Sequence, residues 1–396
     1  MHRGWLVAAV LIAAWGAAPG CGSRTAVLGE LGGSDSGLSG SGSGGGAGSS
    51  SGSSSGGASG SSSGTIVPDS GACPAGESLC GGACCGGACT SGRCLVTLVA
   101  DANAVTIAVD ATSVYWIGGA SGADVMSVPK NGGTPKVLAT NQPAPTSTWG
   151  QALVVDSANV YWILGASILK VPLHGGASPV TLASGERPDS LAVDATTVYW
   201  SDEGYTRLGN VMSLPSSGGQ ATTLVSGRIR TQPGIAVDAA NVYFIDPGYN
   251  SVDVKKVPIQ GGAAVTIGSS PDPAYSLAAL PLPVQAGQIA SSVYWSAGVV
   301  GTPMTLGIFG APVVGGPTVT LALDDVSAIA VDAANVYWTD LGALMSVPVG
   351  GGTPVTLAPG GGGAVAVDAT SVYWIGPSPP NSPVPMGGPV MKLTPK

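Results

Sequence analysis

The chain is short of charge, of histidine and of long apolar runs. Only 9% of its 396 residues are Asp, Glu, Lys or Arg. Lys and Arg number 14 against 22 Asp and Glu, a formal net charge of −8, and no basic run is present. Nucleic acid is therefore not an expected partner, because binding a phosphate backbone needs clustered cations. The two histidines are His2 and His174. His2 falls in an N-terminal export-type segment, which leaves one imidazole for a mature protein. That excludes a multi-His metal centre and counts against His-based acid–base chemistry. The longest apolar run, Trp5 to Trp15, is too short to span a bilayer comfortably. Helical periodicity is absent from the last 300 residues, and so is a βαβ pattern.

What the chain has in quantity is glycine and proline, 64 and 31 residues. Short strands joined by turns, together with a flexible segment, fit that composition. Met1-His2-Arg3 is a basic start, Trp5 to Trp15 an apolar centre, and Ala17-Ala18-Pro19-Gly20-Cys21 a small-residue end. Residues 1–20 thus read as a signal peptide. Residues 21–72 contain Gly32 to Gly64, almost entirely Gly and Ser, which cannot bury enough apolar surface to fold. As a flexible tether, about 40 such residues span roughly 35 Å. Six cysteines follow in residues 73–94: Cys73, Cys80, Cys84, Cys85, Cys89 and Cys94. In an exported chain they are expected to form three disulfides, with 15 pairings open; zinc ligation is the alternative.

Residues 95–396 are periodic. Val-Tyr-aromatic recurs seven times, in Asp110 to Trp116, Asp156 to Trp162, Asp194 to Trp200, Asp238 to Phe244, Ile289 to Trp295, Asp332 to Trp338 and Asp368 to Trp374. Six copies carry an Asp five residues before the Tyr; the fifth has Ile289 there. A small apolar run precedes most copies. A segment ending in Pro, then Gly-Gly and a Val/Thr-Leu run, follow. Each unit of about 43 residues therefore predicts four short strands, a to d, the size of a propeller blade. The last unit shows strands a, b and c but no d. Leu95 to Val99 supplies the missing strand and closes the ring. The expected fold is an all-β, seven-bladed β-propeller, with six or eight blades as alternatives.

Val336-Tyr337-Trp338-Thr339-Asp340 resembles the YWTD repeat of lipoprotein-receptor propellers, and the region is similar to bacterial YWTD/NHL/TolB-like propellers. YWTD members have six blades, whereas the copies here give seven. The resemblance implies a structural hydrogen-bonding role for Asp340, Asp202 and Asp246. The signal segment resembles a bacterial lipobox, with Ala18 in place of the usual Leu. That resemblance implies diacylation of Cys21 and, with Gly22 next, an outer-membrane or cell-surface location. Cleavage without lipidation would leave a soluble periplasmic or secreted protein.

Most aromatics belong to the repeat. The remaining Trp149, Tyr205 and Tyr249 fall on b–c and d–a loops, which share one face of the ring. Glu186, Arg187, Glu203, Arg207, Arg228 and Arg230 fall there too. Variable loops on a rigid scaffold are where binding resides. These nine residues are the candidate ligand site, for a protein, peptide or glycan; solvated loop side chains are the plainer alternative. Asp202-Glu203 does not suffice for acid–base roles, since adjacent residues on an extended chain point apart. The repeated Asp residues suggest ring-wise Ca²⁺ sites or turn-capping carboxylates, and capping is favoured. No catalytic set, metal or cofactor is expected. A polysaccharide lyase or hydrolase and a purely structural envelope component are the alternatives to a binding protein.

Overall fold

In strand b, all of Val-Tyr-Trp is buried, so both faces of every sheet must be covered. A radial stack of sheets satisfies that demand, each face packing on the next blade. The computed structural model describes residues 73–118, 124–140, 153–185, 187–202, 209–229, 234–247, 251–271, 277–281, 292–299, 305–340, 342–379 and 387–396. The expected signal segment and tether, with Cys21, lie outside the described residues.

The chain forms a seven-bladed β-propeller. Blade 1 is Thr106–Val109, Ser113–Gly118, Asp124–Pro129 and Lys136–Ala139. Blade 2 is Leu153–Val155, Asn159–Leu164, Ser167–Pro172 and Val180–Ser184. Blade 3 is Pro188–Val193, Thr197–Asp202, Gly209–Pro215 and Thr222–Ile229. Blade 4 is Ile235–Val237, Asn241–Pro247, Ser251–Pro258 and Val265–Pro271. Blade 5 is Leu277–Pro281, Ser292–Val299, Thr305–Pro312 and Val319–Leu323. Blade 6 is Ala328–Val331, Asn335–Thr339, Ala343–Pro348 and Val355–Pro359. Every strand pairs antiparallel with the next, in the order a-b-c-d. Strand a of each blade touches strand a of the next, all the way round.

Blade 7 joins the two ends of the domain. Val365–Val367, Val372–Ile375 and Gly388–Thr394 are its first three strands. Arg93–Ala104 is the fourth, with Leu393 opposite Leu95, Lys392 opposite Val96 and Val390 opposite Val99. The closing strand expected from the sequence therefore pairs where it was placed. It is longer than the Leu95 to Val99 run at both ends, by Arg93 and Cys94 of the Cys-rich segment and by residues 100–104, where Ala104 pairs with Gly388. Ala88–Thr90 adds to its far side as a fifth strand, with Cys89 opposite Cys94. Ala88–Thr90 of the Cys-rich segment thus joins the last blade, while Ser78–Cys80 and Ala83–Cys85 pair as a two-stranded sheet of their own. Its pairings are Cys73–Cys84, Cys80–Cys89 and Cys85–Cys94. Those bonds use all six thiols, which rules out zinc ligation in this state.

Two local devices repeat. After the terminal Pro of strand c, the turn closes with the second residue's successor, as in Gly132 N–H donating to Pro129 O at 2.9 Å. Gly132 and Gly133 have φ of 84° and 131°, values that explain the Gly-Gly signature. Between strands c and d every blade carries a bulge, for example at Val125/Met126 and Leu344/Met345. A bulge twists the outer edge and makes it a poor template for another chain.

Candidate functional site

The carboxylates of the repeat are committed to the scaffold. Asp156 Oδ1 accepts from the N–H groups of Ala158 and Asn159, both at 2.7 Å, and Oδ2 accepts from Tyr161 Oη at 2.7 Å. Asp110, Asp194, Asp238, Asp332 and Asp368 repeat this arrangement with the Tyr five residues on. The five-residue offset is the distance across the a–b turn to the third residue of strand b, the second in blade 7. The turn-capping role expected for these Asp residues is what the geometry shows. Burial, then the Asp bond and charge, push the tyrosines of blades 1 to 4 well above their ordinary pKa. Blade 5 lacks the Asp, and Tyr294 Oη instead donates to Val349 O of blade 6 at 3.2 Å.

Lysines stitch neighbouring blades on the same face. Lys170, Lys256 and Lys392 stand opposite the motif Tyr on strand c of blades 2, 4 and 7. Their Nζ atoms donate to the carbonyls of Ser216 (2.6 Å), Val313 (2.7 Å) and Lys130 (3.0 Å) in the next blade's c–d turn. Lys136 does the same to His174 O at 2.5 Å, and His174 is an exposed turn residue. Lys130 pairs with Asp368 at 2.7 Å, and Lys396 pairs with Asp332. Burial works to raise these two carboxyls, but the lysines and backbone donors outweigh it and hold both below the usual carboxylate value. The a–b and c–d face is chemically occupied.

The opposite face carries the variable loops. Trp149, Glu186, Glu203, Tyr205, Arg207, Arg230 and Tyr249 lie outside the described residues. Arg228 lies on strand d of blade 3, and its side chain is not among those described. Arg187 is exposed at the start of blade 3, and its N–H donates to Asp202 Oδ1 at 3.0 Å. Asp202 is buried, 5% exposed, and ties the d–a connection to the end of strand b. That fits the structural role implied for it. Asp340 caps its own loop through Gly342 and Ala343 N–H, both at 2.5 Å.

Blade 4 builds a charged cluster around Asp246, whose neighbours Asp253, Lys255 and Ser269 were not singled out in the sequence. Asp246, at the end of strand b, stands directly opposite Asp253 of strand c. Two carboxylates in that register repel. Lys255 pairs with Asp246, and Ser269 Oγ donates to Asp253 Oδ1 at 2.7 Å. Lys255 and Asp246 keep 25% and 19% of their side-chain surface, so this pair rims the loop face. Besides Asp246, its signal in the sequence is Lys255, which stands where Met126, Leu169 and Met391 stand in other strands c.

The indole N–H groups show how loops are tied to strand b. Trp338 Nε1 donates to Asp324 Oδ2 at 3.1 Å and Trp374 Nε1 to Gly360 O at 2.9 Å, each fourteen residues upstream. Trp116, Trp162 and Trp200 have no such acceptor among the described residues. Counting fourteen back from Trp200 reaches Glu186. A charge on a loop is therefore not yet a ligand contact, since blade 6 uses its counterpart for the scaffold.

No protein-family model matches this sequence, and no curated protein does. Solved structures share the fold. An oligogalacturonate lyase in complex with manganese is 12% identical, with a TM-score of 0.50 over 72% of this chain and 85% of that one. The oligogalacturonate lyase of Vibrio parahaemolyticus is 10% identical, with a TM-score of 0.50 over 72% and 86%. A puromycin hydrolase is 13% identical, with a TM-score of 0.50 over 69% of this chain and 50% of the hydrolase. At such identity the likeness is one of fold.

Proposed function

We propose that this is a non-catalytic envelope or cell-surface protein whose propeller binds a protein, peptide or glycan through the loops of blades 2 to 4. The observation that carries the reading is the division of chemistry between the two faces. Repeat carboxylates and lysines are consumed in turns and seams on one side. On the other, Arg187 and the Asp246–Lys255 pair stand at the rim, and the sequence assigns Trp149, Tyr205, Tyr249 and the charged residues outside the repeat to its loops. Tyr, Trp and Arg are the side chains that anchor interfaces, because each brings a large rigid surface and a polar handle.

Three disulfides suit an oxidising compartment outside the cytoplasm. Within that compartment we place the chain at the outer membrane or cell surface, held by a lipid on Cys21 and a Gly/Ser tether. Labelled palmitate should enter the mature protein, and Cys21→Ser should abolish the label; an unlabelled wild-type protein would remove the anchor. The binding claim is tested with the full chain as bait in envelope and culture extracts. The triple variant Trp149→Ala, Tyr205→Ala, Arg207→Ala should lose what the wild type retains. Equal retention by both would refute the site. Cleavage of an acidic polysaccharide by the wild type would favour an enzyme instead.

A further inference from the structure

We propose that the Cys-rich segment is a redox-dependent latch for ring closure, shaping and capping the strand that joins the two ends of the propeller. In the six other blades strand d arrives by a two-glycine turn from strand c, so its docking is local. In blade 7 it arrives from the far end of the domain: Leu95 pairs with Leu393 and Val99 with Val390. Nothing in sequence proximity helps that pairing, and closing so long a loop costs more entropy than closing a hairpin.

The closing strand is instead prepared on its other side. Ala88, Cys89 and Thr90 pair with Leu95, Cys94 and Arg93. Cys85–Cys94 fixes the beginning of the strand, while Cys80–Cys89 and Cys73–Cys84 hold the short strands that flank it. Both ladders meet on Cys94, between Thr394 and Cys89, and on Leu95, between Leu393 and Ala88. Close approach locks the arrangement: a Cβ on Gly87 would lie 2.0 Å from Leu95 O. Among the residues of this segment only Cys80 and Cys85 are buried, so little apolar packing holds it without its bonds. Oxidised, it holds residues 93–95 extended, which lowers the ordering cost of closure. It also covers an edge that would otherwise be open to another chain. Reduced, the segment loses its shape and the seam loses its support.

Amide hydrogen exchange on the full-length protein, with and without a thiol reductant, tests this. Reduction should speed exchange at least tenfold in Cys94 to Val99 and Val390 to Leu393. Cys85→Ser/Cys94→Ser in the absence of reductant should do the same. Cys73→Ser/Cys84→Ser, which leaves Cys94 bonded, should leave the seam protected. If reduction instead unprotects all blades together, closure is the cooperative step and the latch stands. A reduced protein whose seam exchanges as slowly as the oxidised one overturns the proposal, and so does loss of seam protection in the Cys73/Cys84 variant alone.

Discussion

In six of the seven blades one carboxylate serves at least three donors, and that economy makes the repeat Asp the residue whose loss is felt most. Asp156→Ala removes two turn bonds and leaves the buried Tyr161 hydroxyl without its acceptor. The cost should be about 3 kcal/mol by chemical denaturation, against about 1 kcal/mol for Tyr161→Phe, which removes donor and little else. The tyrosines also set a pH limit. Their folded pKa is raised above the unfolded value near 10. Their contribution is therefore complete below about pH 10 and is lost as pH rises beyond it. Ultraviolet titration should show phenolate appearing together with unfolding. With Tyr205, Tyr249 and Tyr275 replaced by Phe so that only the repeat is read, phenolate formation at pH 10 in a fully folded protein would contradict the Tyr–Asp account. The recurrence of Asp was legible in the sequence, and so was its turn-capping role, because the spacing to Tyr is constant. The lysine stitches were not, because each reaches a backbone carbonyl in the next blade, and a carbonyl leaves no mark on composition.

At the scale of strands, blade 5 shows a local exception that forces a second one. Without an Asp in the a–b turn, Tyr294 reaches for Val349 O and its ring swings over strand c. Gly310, opposite it, occupies the register that holds Ser127, Ser213 and Ser346 in other blades and Lys170, Lys256 and Lys392 in the rest. A Cβ there would lie 2.8 Å from the Tyr294 ring and 3.1 Å from Leu321. Gly310→Ser should therefore destabilise by about 2 kcal/mol, although Ser is the common residue at this register. Adding Tyr294→Leu should recover part of that loss, and a double-mutant cycle measures the coupling. Strictly additive effects would dissociate the two exceptions. The strands themselves could be placed from sequence because each blade repeats the same alternation and turn chemistry. The disulfide pairing could not, since six cysteines crowded into residues 73–94, a segment with almost no core, leave the pairing open.

On the proposed reading, the whole ring separates stability from recognition by face. Blade number and closure followed from counting units and finding the missing strand at the start of the domain, and the pairing of Leu95 with Leu393 bears that out. The candidate site was legible only as a location. Loops that differ from blade to blade have no period to read, and Glu186 shows that a loop charge can hold the position of a scaffold acceptor. The most direct measurement is hydrogen-exchange footprinting of the full chain with the molecule it retains from envelope extracts. Slowed exchange confined to residues 141–152, 186–189, 202–208, 226–233 and 247–250 is the predicted result. A footprint on the a–b and c–d turns or on the outer strands d would contradict the account.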